Sequence, residues 1–230
     1  MAIMKFPASS LDYTWIKKHD PNKSLLRGQA YHVAKRIMDL SIAILTMPVW
    51  LPILGLLAFM VFLSAPTAPV FYTQQRTGKG GKRFAMYKIR SMVADADILK
   101  QDYSHLNELQ WPDFKITNDP RVTSLGRILR RTRLDELPQL FNVLRGEMSL
   151  VGPRPTSFGP ETYRLWQTER LDVLPGLTGL WQIIRQDASE FNERLRLDIA
   201  YIERRSISFD INILARTVLA IFRQRHSDSY

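Results

Sequence analysis

Two adjacent carboxylates follow a run of arginines in the stretch RRTRLDELPQL, residues 130–140. Asp135 and Glu136 stand just before Pro138, a residue that favours the first turn of a helix. A helix N-terminus offers free N–H groups and the positive end of the dipole, which keep a carboxylate ionised and attract phosphate. Such a carboxylate can serve as a magnesium ligand or as a nucleophile on phosphorus. A solvated salt-bridge patch is the plain alternative.

The two acids are expected to do different work. Neighbouring residues on a helix do not face each other, so Asp135 and Glu136 are not expected to share one proton. Guanidinium groups, whose planar fork matches phosphate oxygens, surround them in sequence. These arginines are Arg127, Arg130, Arg131 and Arg133.

A second anion-binding element is predicted at Pro153-Arg154-Pro155. The flanking prolines fix the backbone and so hold the direction of one arginine, which suits a diphosphate. An ordinary stiff loop would have the same composition. The two elements together point to a site for a phosphorylated substrate.

Other catalytic centres have no support in the sequence. In the glycine turn at residues 78–82, Arg76 and Arg83 replace residues that a P-loop requires. The four histidines are scattered without metal-ligand spacing, and the absence of cysteine excludes a disulfide framework, a cysteine-ligated zinc and a thiol nucleophile.

The net charge of +10 and the pI of about 10.0 predict an anionic partner. Phospholipid headgroups, a phosphorylated small substrate and nucleic acid all fit that charge. A basic membrane-surface or nucleic-acid-binding protein without catalysis is therefore the alternative class of function.

A long apolar segment precedes these elements and decides among the partners. Residues 37–63 carry a single ionisable side chain, Asp39, and as a helix would span roughly 40 Å, enough to cross a bilayer. Pro48 and Pro52 disfavour a straight helix, so we expect a break near Met47-Pro48. Basic residues flank both ends, which favours a re-entrant segment with both ends in the cytoplasm. A straight span and a buried core helix are the alternatives.

The rest of the chain reads as a small, mainly helical α/β domain. Residues 70–76 and 82–90 predict a β-hairpin around a glycine turn, and residues 91–110 look helical. Residues 191–223 predict amphipathic helices that either lie on an anionic membrane or pack on the core. Their apolar positions are Leu195, Ile199, Ile202, Ile211, Leu214, Val218 and Phe222.

Several stretches together resemble the bacterial sugar transferases, monotopic phosphoglycosyl transferases that load polyprenyl phosphate with a sugar phosphate. They are KRIMDLSIAILTMPVWLPI, QQRTGKGGKRFAMYKIRSM, NDPRVTSLGRILRRTRLDELPQLFNVLRGEMSLVGPRP, LPGLTGLWQ and ERLRLDIAYIERRSISFDINIL. The resemblance implies an interfacial or flexible tail at residues 1–34, a re-entrant helix-break-helix at 35–64 and a catalytic domain at 65–230. The catalytic domain would lie on the cytoplasmic face of the bacterial inner membrane.

The resemblance also implies a reaction. Asp135 would attack the β-phosphate of a UDP-sugar, UDP-galactose or UDP-glucose, and release UMP. Undecaprenyl phosphate would then take the hexose 1-phosphate from the aspartate, which is the first membrane step of exopolysaccharide or other surface-glycan synthesis. Glu136, together with Asp135, would hold Mg²⁺. Nucleic acid is not an expected partner, and a homo-oligomer is compatible with the sequence.

Further site residues follow from the same resemblance. Arg154 would contact phosphate, and Pro138, Pro153, Pro155 and the helix break at Pro48 would be structural. Four basic residues would form the rim of the site: Arg76, Lys88, Arg90 and Arg131.

Two departures from the family's pattern stand out. Arg133 occupies a place where a small or uncharged residue is expected, and it either adds a phosphate contact or points outward. Arg185-Gln186 replaces a Gly-Arg pair. A conventional glycosyltransferase, which moves the sugar alone and releases UDP, is the enzymatic alternative.

Overall fold

Helix predominates in the computed structural model, which describes residues 14–17, 19–20, 25–26, 28–108, 114, 116–184 and 191–227. The helices are α1 (Thr14–Lys17), α2 (Gly28–Leu45), α3 (Met47–Ser64), α4 (Ser124–Thr132), α5 (Gln139–Arg145), α6 (Leu180–Ile184), α7 (Phe191–Arg204) and α8 (Ile207–Ser227). The strands are β1 (Phe71–Thr77), β2 (Arg83–Ile89), β3 (Ser149–Val151) and β4 (Gly176–Thr178). A mainly helical chain with a small antiparallel sheet confirms the expected fold class at this level.

The long apolar stretch forms two helices that meet at Thr46. Pro48, in the first turn of α3, has no N–H to continue the ladder of α2. Side chains add hydrogen bonds beside the break: the carbonyl of Ile42 accepts both the N–H of Thr46 at 3.0 Å and its hydroxyl at 2.6 Å, and that of Ala43 accepts the Trp50 indole N–H at 2.9 Å. The predicted break is therefore present, one residue before Met47.

Helix α3 is mostly exposed for so apolar a helix. Among the described residues it is the helix whose length and composition would allow it to cross a membrane. Trp50, Leu54 and Val61 are buried, whereas large side chains such as Leu56 and Phe59 are more than half exposed. This exposure argues against a buried core helix, and the re-entrant path through a bilayer stays a prediction.

Buried polar contacts fix α2 to the rest of the fold. Asp39, the lone ionisable residue of the apolar segment, accepts hydrogen bonds from the Ser149 hydroxyl at 2.7 Å and the Leu150 N–H at 3.3 Å. The Arg36 guanidinium donates to the carbonyl of Val143, near the end of α5, at 2.6 Å. The Asp39 carboxylate, whose charge would be costly in lipid, is thus hydrogen-bonded to the start of β3.

Two small sheets support the loops. Strands β1 and β2 pair antiparallel from Phe71 opposite Ile89 to Thr77 opposite Arg83, which confirms the predicted hairpin. Gly80 and Gly81 have positive φ in its turn. Strands β3 and β4 pair in parallel.

The helix predicted at residues 91–110 is wrong for the part that the structure describes. Residues 91–108 form turns with two short 3₁₀ helices, Ile98–Lys100 and Ser104–Leu106. The Arg121 guanidinium donates a hydrogen bond to the carbonyl of Ala96 at 3.1 Å. In an α-helix this carbonyl would accept a backbone N–H from the same helix. Tertiary contacts thus override a local pattern.

The C-terminal tail forms α7 and α8, which pack one face of each on the core. Leu195 and Ile199 are buried as predicted. In α8, Phe209 and Ile213 are buried and Ile211 is 54% exposed, so the inward face differs from the predicted one.

Candidate active site

The acid pair lies in a single 3₁₀ turn, Leu134–Glu136, between α4 and α5. Pro138 follows as the residue before α5, and its carbonyl accepts the N–H of Phe141 at 3.0 Å, so it starts the helix behind the acids. Both carboxylates are buried. The turn therefore holds two buried acids in the lining of one cavity.

Glu136 is bound by two cations from different parts of the chain. Its Oε1 accepts from Arg154 at 2.6 Å and from the Lys88 ammonium of β2 at 3.1 Å. Burial alone would raise the pKa of Glu136, but the charges and hydrogen bonds of Arg154 and Lys88 outweigh it and hold this pKa well below its ordinary value. The two cations therefore favour the ionised form of Glu136.

Asp135 has the opposite environment. Its carboxylate lines the cavity and makes no hydrogen bond within the described part of the chain. Burial raises its pKa; the Lys88 charge opposes this and the adjacent Glu136 adds to it. A desolvated carboxylate with free lone pairs beside several cations has the properties of a nucleophile. The opposite pKa shifts support the expectation of separate roles.

Arg154 is held at its backbone as well as at its side chain. The Arg170 guanidinium donates to the Arg154 carbonyl and, at 2.8 Å, to the buried carboxylate of Asp198 on α7. Burial raises the pKa of Asp198 to about 7, against the charge of Arg170. Sequence reasoning missed this pair. Its one signal was a carboxylate between Leu197 and Ile199 on an apolar stretch of helix.

The hairpin supplies Arg76 and Arg90 in different ways. Arg76 donates to the carbonyl of Pro155 at 3.2 Å, and burial, with the charge of Arg154, lowers its pKa to about 10. Arg90 lines the cavity but donates to the carbonyls of Val61 and Ala65 at 3.1 and 3.2 Å, at the end of α3. It therefore caps the apolar helix.

Arg131 was predicted as part of the rim of the site. It is exposed on α4 and does not line the cavity, whereas Arg130 and Arg133 do. The Nε of Arg130 donates to the Ser91 hydroxyl at 2.8 Å. Arg130 and Arg133, not Arg131, are therefore the arginines of this run that line the site.

The cavity has a volume of about 960 Å³, large enough for a sugar nucleotide. Trp181 and Gln182 line it, as do Tyr72, Asp97, Lys100 and Phe114. Arg185 and Gln186, where the sequence departs from the family, lie outside the described residues. An anionic substrate would enter a cavity rich in arginine and lysine.

These residues could bind a magnesium ion only together with ligands from water and substrate. No group of three or more histidine, aspartate or glutamate side chains suited to a metal occurs in the described ranges. Magnesium is commonly held by one or two carboxylates, with water and substrate phosphates completing its shell. Asp135 and Glu136 could supply the two carboxylate ligands. In the described part of the chain, Oε2 of Glu136 accepts no hydrogen bond and is available to a metal ion.

Comparison with known proteins gives consistent results. The profile of a family described as "Bacterial sugar transferase" matches residues 30–224. The chain is 40% identical over 193 residues to a galactosyl transferase, CpsE, of Streptococcus agalactiae serotype III, covering 82% of this chain and 42% of that protein. It is 36% identical over 227 residues to an undecaprenyl-phosphate galactose phosphotransferase of Salmonella typhimurium, covering 95% and 47%.

A shorter relative matches over most of its own length. The exopolysaccharide production protein ExoY of Sinorhizobium fredii is 36% identical over 204 residues, covering 85% of this chain and 88% of that protein. The chain thus spans less than half the length of the first two relatives and nearly all of the third.

Proposed function

Because the chain belongs to the bacterial sugar transferase family, we propose that it transfers hexose 1-phosphate from a UDP-sugar to undecaprenyl phosphate and releases UMP. The observation that carries the proposal is the contrast within the acid pair. Glu136 is neutralised by Arg154 and Lys88, while Asp135 faces the cavity with its oxygens free. UDP-galactose is the first substrate to test, because one relative is named as a galactosyl transferase and another as a galactose phosphotransferase, and UDP-glucose is the second.

In the first step an Asp135 oxygen attacks the β-phosphorus of the UDP-sugar. A bond forms between that oxygen and phosphorus, and the bond from phosphorus to the bridging oxygen breaks, so that UMP leaves with its electron pair. In the second step an oxygen of undecaprenyl phosphate attacks the same phosphorus and releases the Asp135 carboxylate. The product is undecaprenyl diphosphate hexose.

The surrounding cations explain why a carboxylate can attack a phosphate. Negative charge accumulates on the phosphoryl oxygens during transfer, and preorganised guanidinium and ammonium groups stabilise it. Arg154 is aimed by its flanking prolines and held at its carbonyl by Arg170. Magnesium, if held by Asp135 and Glu136, would neutralise diphosphate charge.

The membrane side of the proposal rests on α3. This helix exposes its apolar side chains, and Arg90 holds its end next to the cavity. We place the enzyme at the inner membrane, with the cavity on the cytoplasmic face, where a lipid phosphate reaches Asp135 without leaving its bilayer. This supports a role in the first membrane step of exopolysaccharide or other surface-glycan synthesis.

Replacement of the proposed nucleophile tests the mechanism. D135N should abolish UMP release and the covalent phosphosugar adduct, which intact-protein mass spectrometry detects when undecaprenyl phosphate is omitted. D172N, at an exposed aspartate, is the matched control and should keep both. An active D135N enzyme would sink the mechanism. Release of UDP in place of UMP would identify a conventional glycosyltransferase.

A further inference from the structure

Arg133 has a backbone conformation that disfavours its own residue type. Its φ of 57° and ψ of 17° put it in the left-handed region, and no other non-glycine residue in the described part has a positive φ. Its N–H donates to the carbonyl of Arg130 and so ends α4. Glycine is the usual residue at such a helix end. An arginine here costs backbone energy without improving the turn.

The guanidinium of Arg133 is uncommitted. Six arginines line the cavity: Arg76, Arg90, Arg121, Arg130, Arg133 and Arg154. Within the described residues, the side chains of the other five donate hydrogen bonds to protein groups, and the side chain of Arg133 donates none.

Its surroundings are those of a ligand-binding group. The side chain is half-buried; burial lowers the pKa of Arg133, the charges of Glu136 and Asp135 oppose this, and Arg154 adds to it. A partly desolvated cation beside another cation gains most from a phosphate ligand. In the described part of the chain no hydrogen bond or ion pair joins the Arg133 guanidinium to Asp135 or Glu136, and Glu136 instead binds Arg154 and Lys88.

We propose that Arg133 is a substrate-binding residue of this chain that donates hydrogen bonds to the diphosphate of the sugar nucleotide. This rests on the proposed function for the identity of the substrate. The left-handed backbone at Arg133 directs its side chain into the cavity that Asp135 also lines. The diphosphate would then lie between Arg133 and Asp135. The backbone strain at Arg133 is then retained for substrate binding.

Titration of the purified full-length chain with UDP tests the inference without turnover. R133N should weaken UDP binding by about tenfold or more, the usual effect of losing a hydrogen bond to a charged group. R133K, which keeps the charge but lacks the fork, should lose less. R196N, at an exposed arginine of α7, makes the same change in charge and should bind UDP like the wild type.

R133G separates the side chain from the backbone. Glycine accepts a φ of 57°, so R133G should melt near the wild-type temperature and still bind UDP as poorly as R133N. Wild-type UDP affinity in R133G or R133N, an equal loss in R196N, or no measurable UDP binding by the wild type would each overturn the inference. If no UDP-sugar is turned over but UDP binding depends on Arg133, the proposed reaction fails and the inference stands.

Discussion

Replacement of Gly126 by alanine should damage both stability and catalysis. Gly126 lies in the first turn of α4, where a Cβ atom would sit 1.8 Å from the backbone oxygen of Ser91. Atoms of this kind approach no closer than about 3.0 Å, so α4 or the Ser91 backbone must retreat by at least 1.2 Å. Neither is a flexible side chain that can swing aside.

The magnitude follows from two opposing terms. Alanine in a helix is favoured over glycine by ~1 kcal/mol, whereas overpacking against a fixed backbone costs roughly 1–3 kcal/mol or more. The steric term should win, with a net loss of about 1–2 kcal/mol in the free energy of unfolding. Helix α4 leads directly into Arg133 and the acid turn, and a displacement near 1 Å at a catalytic group can cost about 100-fold in rate.

Gly55 provides the matched control. It lies within α3, and an added Cβ meets nothing within 4 Å. G55A should therefore keep the wild-type rate and be neutral or slightly more stable. Chemical denaturation in detergent and UMP release measure both variants. A G126A enzyme with wild-type stability and rate would refute the expectation that the close approach of Gly126 to Ser91 holds α4 in place.

Two pH-dependent predictions follow from the buried carboxylates. K88M removes a cation whose charge lowers the pKa of both Asp135 and Glu136. Activity should therefore be lost on acidification at a higher pH than in the wild type; coincident acid limbs of the pH–rate profiles would contradict this. Asp198 has a folded pKa of about 7, above its unfolded value, so its stabilisation is complete below the unfolded pKa and is lost as pH rises through 7. The free energy of unfolding should fall by roughly 2–3 kcal/mol from pH 5 to 8 in the wild type, and much less in D198N. Denaturant titrations with parallel pH slopes for both proteins would reject this.

Features set by a few neighbouring residues were predictable. The hairpin follows from two strand-like runs around glycines that adopt positive φ. The helix break near Pro48 follows from a missing N–H, although the structure shifts it to Thr46. The acid pair and Arg154 were predicted as neighbours of phosphate, and the structure brings Glu136, Arg154 and Lys88 together. Their roles in the reaction stay predictions.

Features set by distant contacts were not predictable. Arg170 and Asp198 are 28 positions apart, and nothing in either local pattern indicates that they meet behind Arg154. Arg90 was predicted as a rim residue from its place in a motif, and the structure gives its guanidinium two carbonyls of the apolar helix. Periodicity at residues 91–108 also could not reveal that Arg121 competes for the carbonyl of Ala96.

The position of Arg90 has a consequence for how the site meets the membrane. Lys88 and Arg90 lie two residues apart at the end of β2 and therefore point to the same face of the hairpin. One of them holds Glu136, and the other holds the carbonyls of Val61 and Ala65 at the end of α3. A shift of the apolar helix along its axis would pull on the strand that carries Lys88. The position of the end of α3 and the ion pair of Glu136 thus depend on neighbouring side chains of one strand end.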